Sequence, residues 1–108
     1  MLVAFSIAPS GGGSDSVGDV VAEAVRVVRE SGLPNETTSM FTTIEAPGWD
    51  EAMEVVKRAV EAVAARAPRV SLVLKADIRP GWSGQLQAKV DRIEQALGAQ
   101  PEDGHPPR

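Results

Sequence analysis

A chain of 108 residues, 43% apolar and 24% charged with a formal charge of −4, is sized for one domain with one modest core. The acidic balance without a basic run opposes nucleic-acid binding, which needs clustered positive charge to neutralise phosphates. The absence of cysteine removes disulfides, zinc–thiolate sites and thiol chemistry.

The chain opens with an alternating strand pattern over residues 2–8, placing Val3, Phe5 and Ile7 on one face and Ala4, Ser6 and Ala8 on the other. No basic segment precedes this short apolar run, so it is not read as a secretory signal. No stretch reaches the roughly 20 apolar residues of a membrane span. A soluble, cytoplasmic protein is the expectation.

Pro9 leads into Ser10-Gly11-Gly12-Gly13-Ser14-Asp15-Ser16, a glycine-rich turn of the kind that cradles phosphate in other proteins. Here it lacks the Lys-Ser/Thr of a Walker loop and the third glycine of a dinucleotide fingerprint. Asp15 and Asp19 also bring negative charge to the positive end of the next helix. Phosphate is disfavoured; a plain turn and a loop closing over an uncharged or cationic ligand both remain open.

From Ser16 the period becomes helical, with Val17, Val20, Val21, Ala24, Val27 and Val28 as the stripe. Ser16 and Asp19 are spaced as a capping box, and Gly32 is a natural stop. Residues Glu36 to Ala46 predict a tight hairpin turning near Met40 and Phe41. Pro47-Gly48 ends it, and a second helix starts at Trp49, with Trp49, Ala52, Met53, Val56, Ala59, Val60 and Val63 as its apolar stripe and Glu54 and Arg58 paired on the exposed side. Pro68 breaks that helix. The last strand, "RVSLVLKADIR", is expected to bury Val70, Leu72, Leu74, Ala76 and Ile78 and to turn Ser71, Val73, Lys75 and Asp77 outward. A third helix is marked by Leu86, Val90, Ile93 and Leu97. Trp82, just before it, is expected to pack that helix onto the body, with a lid over a ligand as the alternative. Residues 98–108 read as a disordered tail, so the domain spans 1–97.

The order β-α-β-β-α-β plus a C-terminal helix is that of the ferredoxin-like fold, an α+β class in which two helices cover one face of a four-stranded antiparallel sheet. The uncovered face would carry Ser6, Phe41, Thr43, Glu45, Ser71, Lys75 and Asp77. Thr43, Glu45, Lys75 and Asp77 read either as a cross-strand ion-pair ladder or as directional partners in a groove. His105, the only histidine, lies in the tail, so the chain offers no histidine triad and no metal site. Carboxylate catalysis by Glu45 and Asp77 has nothing to fix its geometry. With only four aromatics (Phe5, Phe41, Trp49 and Trp82), the core is thin, and subunit packing is a natural supplement.

Four ordered features carry a resemblance: "SIAPSGGGSDSV", the helix ending in "ESGL", the hairpin "TTSMFTTIEA" and the strand "VSLVLKADIR". Together they resemble the small thiamine-binding protein family, single ferredoxin-like domains of about 100 residues. The resemblance implies binding without catalysis, no cofactor beyond the ligand itself, and homo-oligomers in which dimers pair into tetramers through their sheets. The implied ligand is thiamine or its hydroxymethyl-aminopyrimidine moiety. Ser6, Ser16, Thr43, Glu45 and Asp77 are the expected polar contacts, and Phe41 the stacking one. With such a ligand the glycine loop reads as a pocket rim, with Ser10 and Ser16 as donors. The sequence departs from the family at the hairpin tip, where Ser39-Met40-Phe41-Thr42 replaces Pro-Met-Gly-Thr, and at Ala46, where a glycine is usual after the glutamate.

Overall fold

In the computed structural model, residues 1–12 and 16–98 are described. The elements run β1 (Leu2–Ser10), α1 (Val17–Glu30), β2 (Asn35–Thr37), β3 (Thr42–Glu45), α2 (Trp49–Ala64), β4 (Arg69–Asp77) and α3 (Gln85–Gly98). The strands form one sheet in the order β2-β3-β1-β4 with every neighbouring pair antiparallel. This is the expected ferredoxin-like arrangement plus a C-terminal helix. α3 includes Gly98, the first residue of the expected tail; residues 99–108 lie outside the described residues.

Strand alternation sets the core. Val3 pairs with Ile44 on one side and Ala76 on the other, and Val3 and Ile44 are fully buried. Phe5 extends this row, while Val20, Ala24 and Val28 of α1 and Ala52, Val55, Val56, Ala59 and Val63 of α2 close over it. Each helix is therefore buried through a stripe of small and β-branched residues, which lets it approach the sheet closely. The end of α1 follows from Ser31 and Gly32. The Ser31 hydroxyl donates to the Val28 carbonyl at 2.6 Å and accepts from the Leu33 amide at 3.1 Å. Gly32 then turns the chain at φ +82°, a left-handed conformation that favours glycine.

Three expectations need correction. Leu72 and Ile78, assigned to the buried face of the last strand, are exposed, and only Val70, Leu74 and Ala76 pack on the core. β4 (Arg69–Asp77) is an edge strand that touches α2 but scarcely α1, so Leu72, in its middle, lacks cover from a second helix, and Ile78 lies past its end. Trp49 opens α2 without entering the core and is half-exposed; Val55 is buried instead. Trp82 does not pin α3 to the body: it is 53% exposed and lies under the Arg79 guanidinium, 3.6 Å from the ring centroid.

Candidate functional site

The hairpin tip is built by one hydroxyl. Thr38 Oγ1 accepts from the backbone N–H groups of Met40 and Phe41 at 3.3 and 3.2 Å and donates to the Phe41 carbonyl at 3.1 Å. The Thr38 amide also donates to Phe41 O at 2.9 Å. This side-chain-built turn holds the tip over the C-terminal half of β1, beside α1. Between them lies a cavity of about 190 Å³. Ser6, Thr37, Thr38, Ser39 and Thr42 supply hydroxyl-bearing residues, while Phe5, Ile7, Val28 and Phe41 are among the apolar ones; none of the described lining residues carries a charge. Met40 and Phe41 stand at its exposed side, 72% and 37% accessible.

A second, more open groove of about 430 Å³ lies on the sheet face away from α1 and α2. It is lined by Leu2, Ala4, Thr43, Lys75, Asp77 and, from α3, Lys89. The ion-pair ladder read from the sequence does not form here, because β1 separates the two strands that were to carry it. Thr43 and Lys75 flank Ala4, and Glu45 and Asp77 flank Leu2, which puts members of each pair two strand spacings, roughly 10 Å, apart. Asp77 instead pairs with Lys89. That hydrogen bond, and the lysine charge with it, holds the Asp77 carboxyl below its ordinary value.

Glu45 has a different occupation. It is 8% exposed, and its two carboxylate oxygens accept from the backbone N–H groups of Gln85 and Leu86 at 2.9 and 3.1 Å. A carboxylate at the first free amides of a helix satisfies donors that have no partner inside it and meets the positive end of its dipole. Glu45 thus ties the start of α3 to the sheet.

Around the glycine loop, Ser16 Oγ accepts from the Asp19 amide at 3.1 Å and caps α1. Gly11, at φ +72°, sits so close to Pro68 that an added Cβ would lie 3.0 Å from its Cγ. A cavity of about 250 Å³ runs from Ser10, Gly11 and Gly12 to Arg66 and Ala67, with Arg66 paired to Glu23 at 3.5 Å. Gly13, Ser14 and Asp15 lie outside the described residues, and with them the expectation that Asp15 acts on this loop.

The six residues expected to bind ligand therefore fall into four places. Ser6 and Phe41 meet at the hairpin cavity, Thr43 and Asp77 at the outer groove, Glu45 caps α3, and Ser16 caps α1. Thr37, Thr38, Ser39 and Met40 of the cavity were not singled out from the sequence. Their signal was a run of hydroxyl residues at a hairpin turn, which marks a side-chain-built turn. Among the described residues, no group of three acids or histidines could hold a metal ion, and no helix is long and apolar enough to cross a membrane.

A family model described as thiamine-binding protein matches residues 3–94. The chain is 59% identical over 97 residues to a UPF0045 protein of Mycobacterium bovis, covering 90% of this chain and 94% of that one. Among solved structures, a domain of unknown function from Bacillus cereus (DUF77) superposes with a TM-score of 0.74 at 34% identity, covering 82% of this chain and 85% of that one. A Thermotoga maritima protein, whose name assigns it provisionally to thiamine biosynthesis or salvage, superposes with a TM-score of 0.72 at 24% identity. It covers 85% of this chain and 96% of its own, a likeness of fold.

Proposed function

Because the chain belongs to the thiamine-binding protein family, we propose that it is a non-enzymatic, cytoplasmic, homo-oligomeric binding protein for thiamine or its hydroxymethyl-aminopyrimidine moiety. The observation that carries this reading is the hairpin cavity. Its volume of about 190 Å³ lies below the roughly 300–1,000 Å³ of drug-sized pockets and suits one six-membered ring better than two linked rings. A lining of hydroxyls without charge matches an aminopyrimidine, whose amino group donates and whose ring nitrogens accept. In this reading Ser6 makes a polar contact with the pyrimidine, and Thr38, whose hydroxyl is fully used in the turn, holds the hairpin tip beside it. The thiazolium cation stays at the mouth against the Phe41 ring, where a cation is favoured. Thr43 and Asp77, across the sheet, form a separate set of candidate contacts, and Glu45 and Ser16 act through the helices they cap.

Thermal unfolding with thiamine, the aminopyrimidine alone and thiamine pyrophosphate tests the reading. A ligand at about 100 times its Kd adds roughly 2.7 kcal/mol to the folded state, which raises the midpoint of a domain this size by roughly 10 °C or more. Shifts with thiamine and the pyrimidine are expected, and a smaller one or none with the pyrophosphate, since none of the described lining residues is cationic. No shift with any of them overturns the binder. A second reading, an assembly module that binds no small molecule, is favoured by the exposed Val73 of the outer sheet face; it predicts a stable oligomer indifferent to thiamine.

A further inference from the structure

The outer groove gathers positive charge on a chain whose net charge is −4. Lys89 pairs with Asp77. Lys75, on the same side of β4, and Arg79, just past its end, form no ion pair among the described residues. Both are still near that carboxylate. Lys89 acts on it most, through its hydrogen bond and its charge, and Arg79 and Lys75 then add to the lowering of the Asp77 carboxyl pKa through charge alone. Three cations therefore surround one carboxylate. A recess lined by one sign of charge concentrates counter-ions of the other.

The fold holds each of these groups in place. Lys75 stands opposite Ala4, and Ala4 opposite Thr43, so the lysine and the threonine flank a gap roughly 10 Å wide that has only a methyl group in its floor. Lys89 lies one helical turn after Gln85, on the face of α3 that the Glu45 carboxylate ties to the sheet. Its ammonium has three donors, so the bond to Asp77 leaves others for a second acceptor. Arg79 is stacked on Trp82 in a turn closed by the Trp82 amide, which donates to the Arg79 carbonyl at 3.1 Å. A guanidinium stacked through its face keeps its N–H edge outward.

The groove measures about 430 Å³, within the range of small-molecule pockets and more than a single inorganic ion fills. Leu2 and Ala4 give it an apolar floor beside the charges. We propose that the outer groove is a second binding site, separate from the hairpin cavity, for a small phosphorylated molecule. Lys75, Lys89 and the Thr43 hydroxyl donate to the phosphate, Arg79 adds its charge at one end, and the carbon body of the ligand lies over Leu2 and Ala4. Asp77, already neutralised by Lys89, does not oppose the anion.

An NMR titration of the ¹⁵N-labelled full chain tests this, with glycerol 3-phosphate, inorganic phosphate and sodium chloride of matched ionic strength as its three arms. The monoester is expected to shift the amides of Ala4, Thr43, Lys75 and Lys89 to saturation. Inorganic phosphate should bind the same residues more weakly, and chloride should not saturate. Lys75 is exposed, so Lys75→Met should leave the urea midpoint unchanged while weakening the monoester about 10-fold, as loss of a charge-assisted hydrogen bond implies. Arg29→Met, on the far face of α1, should change nothing. Absence of saturation with the monoester, or affinity untouched by Lys75→Met, overturns the site. Inorganic phosphate binding as tightly as the monoester overturns the assignment to a phosphorylated molecule. No arm contains thiamine, so failure here leaves the hairpin cavity and its ligand as they stand.

Discussion

Glu45, the last residue of β3, caps a helix that begins forty residues later: its carboxylate accepts the Gln85 and Leu86 amides at 2.9 and 3.1 Å. The local sequence cannot do this job, because Gly84 stands immediately before α3 and has no side chain to offer. Removing a mostly buried charged acceptor strands two amides. Glu45→Ala is therefore expected to cost about 1–3 kcal/mol in urea denaturation, with faster hydrogen exchange at Gln85 and Leu86. Glu45→Gln, which keeps one acceptor oxygen, should lose less. If Glu45→Ala instead keeps full stability but abolishes the thiamine-induced thermal shift, the carboxylate serves the ligand rather than α3.

The second tie between α3 and the sheet is titratable. Lys89 lowers the carboxyl pKa of Asp77 through its hydrogen bond and its charge. A carboxylate whose pKa is depressed in the folded state stabilises that state above its unfolded value, and the contribution is lost as pH falls through the folded value. The pair is exposed and worth little at neutral pH, so its signature is the titration itself. Carbon-detected NMR of the Asp77 carboxyl should give a midpoint below that of an ordinary aspartate, moving back up in Lys89→Met. An unchanged midpoint in that variant would show that the two groups do not meet in solution.

The fold was legible because its signals are local and periodic. Alternation identified Val3 and Phe5, the helical stripe identified Val20, Ala24 and Val28, and Ser16 and Gly32 marked the ends of α1. What the sequence could not reveal depended on neighbours far along the chain. Leu72 has the periodicity of a buried residue, but exposure was decided by the place of β4 at the sheet edge. Glu45 and Asp77 looked like partners because they share a face; β1, inserted between their strands, leaves each to a different part of α3. The site suffered most from this. Hydroxyl type and strand phase put Ser6 and Phe41 on the uncovered sheet face with Thr43 and Asp77, whereas the course of the hairpin in space brings them to the cavity beside Thr38 and Met40.

Two glycines with positive φ separate backbone strain from steric crowding. Gly32, at φ +82°, has nothing within 4 Å of a built Cβ. Gly32→Ala is expected to cost about 1 kcal/mol, the conformational term alone. Gly11, at φ +72°, adds a Cβ contact of 3.0 Å with Pro68, so Gly11→Ala should cost more than Gly32→Ala. Equal losses in thermal denaturation would mean that the glycine loop moves freely away from Pro68.

Thr38 joins stability to binding in one side chain. Its hydroxyl accepts two amides and donates to one carbonyl at the tip of the hairpin, and it also lines the cavity. Thr38→Val keeps the shape and β-branching but removes every one of those hydrogen bonds. Because the tip is exposed, the freed amides can be hydrated, and the loss of stability should be modest, about 0.5–1.5 kcal/mol. The cost to binding should be larger in proportion, because a tip that is no longer held must be ordered when the ligand arrives. Titration calorimetry with thiamine is expected to show affinity falling roughly 10-fold, as the cost of ordering the tip implies. Thr38→Ser, which restores the hydroxyl, should recover most of it. A Thr38→Val protein that binds thiamine like the wild type would place the ligand away from the hairpin cavity and turn attention to the outer groove of Thr43 and Asp77.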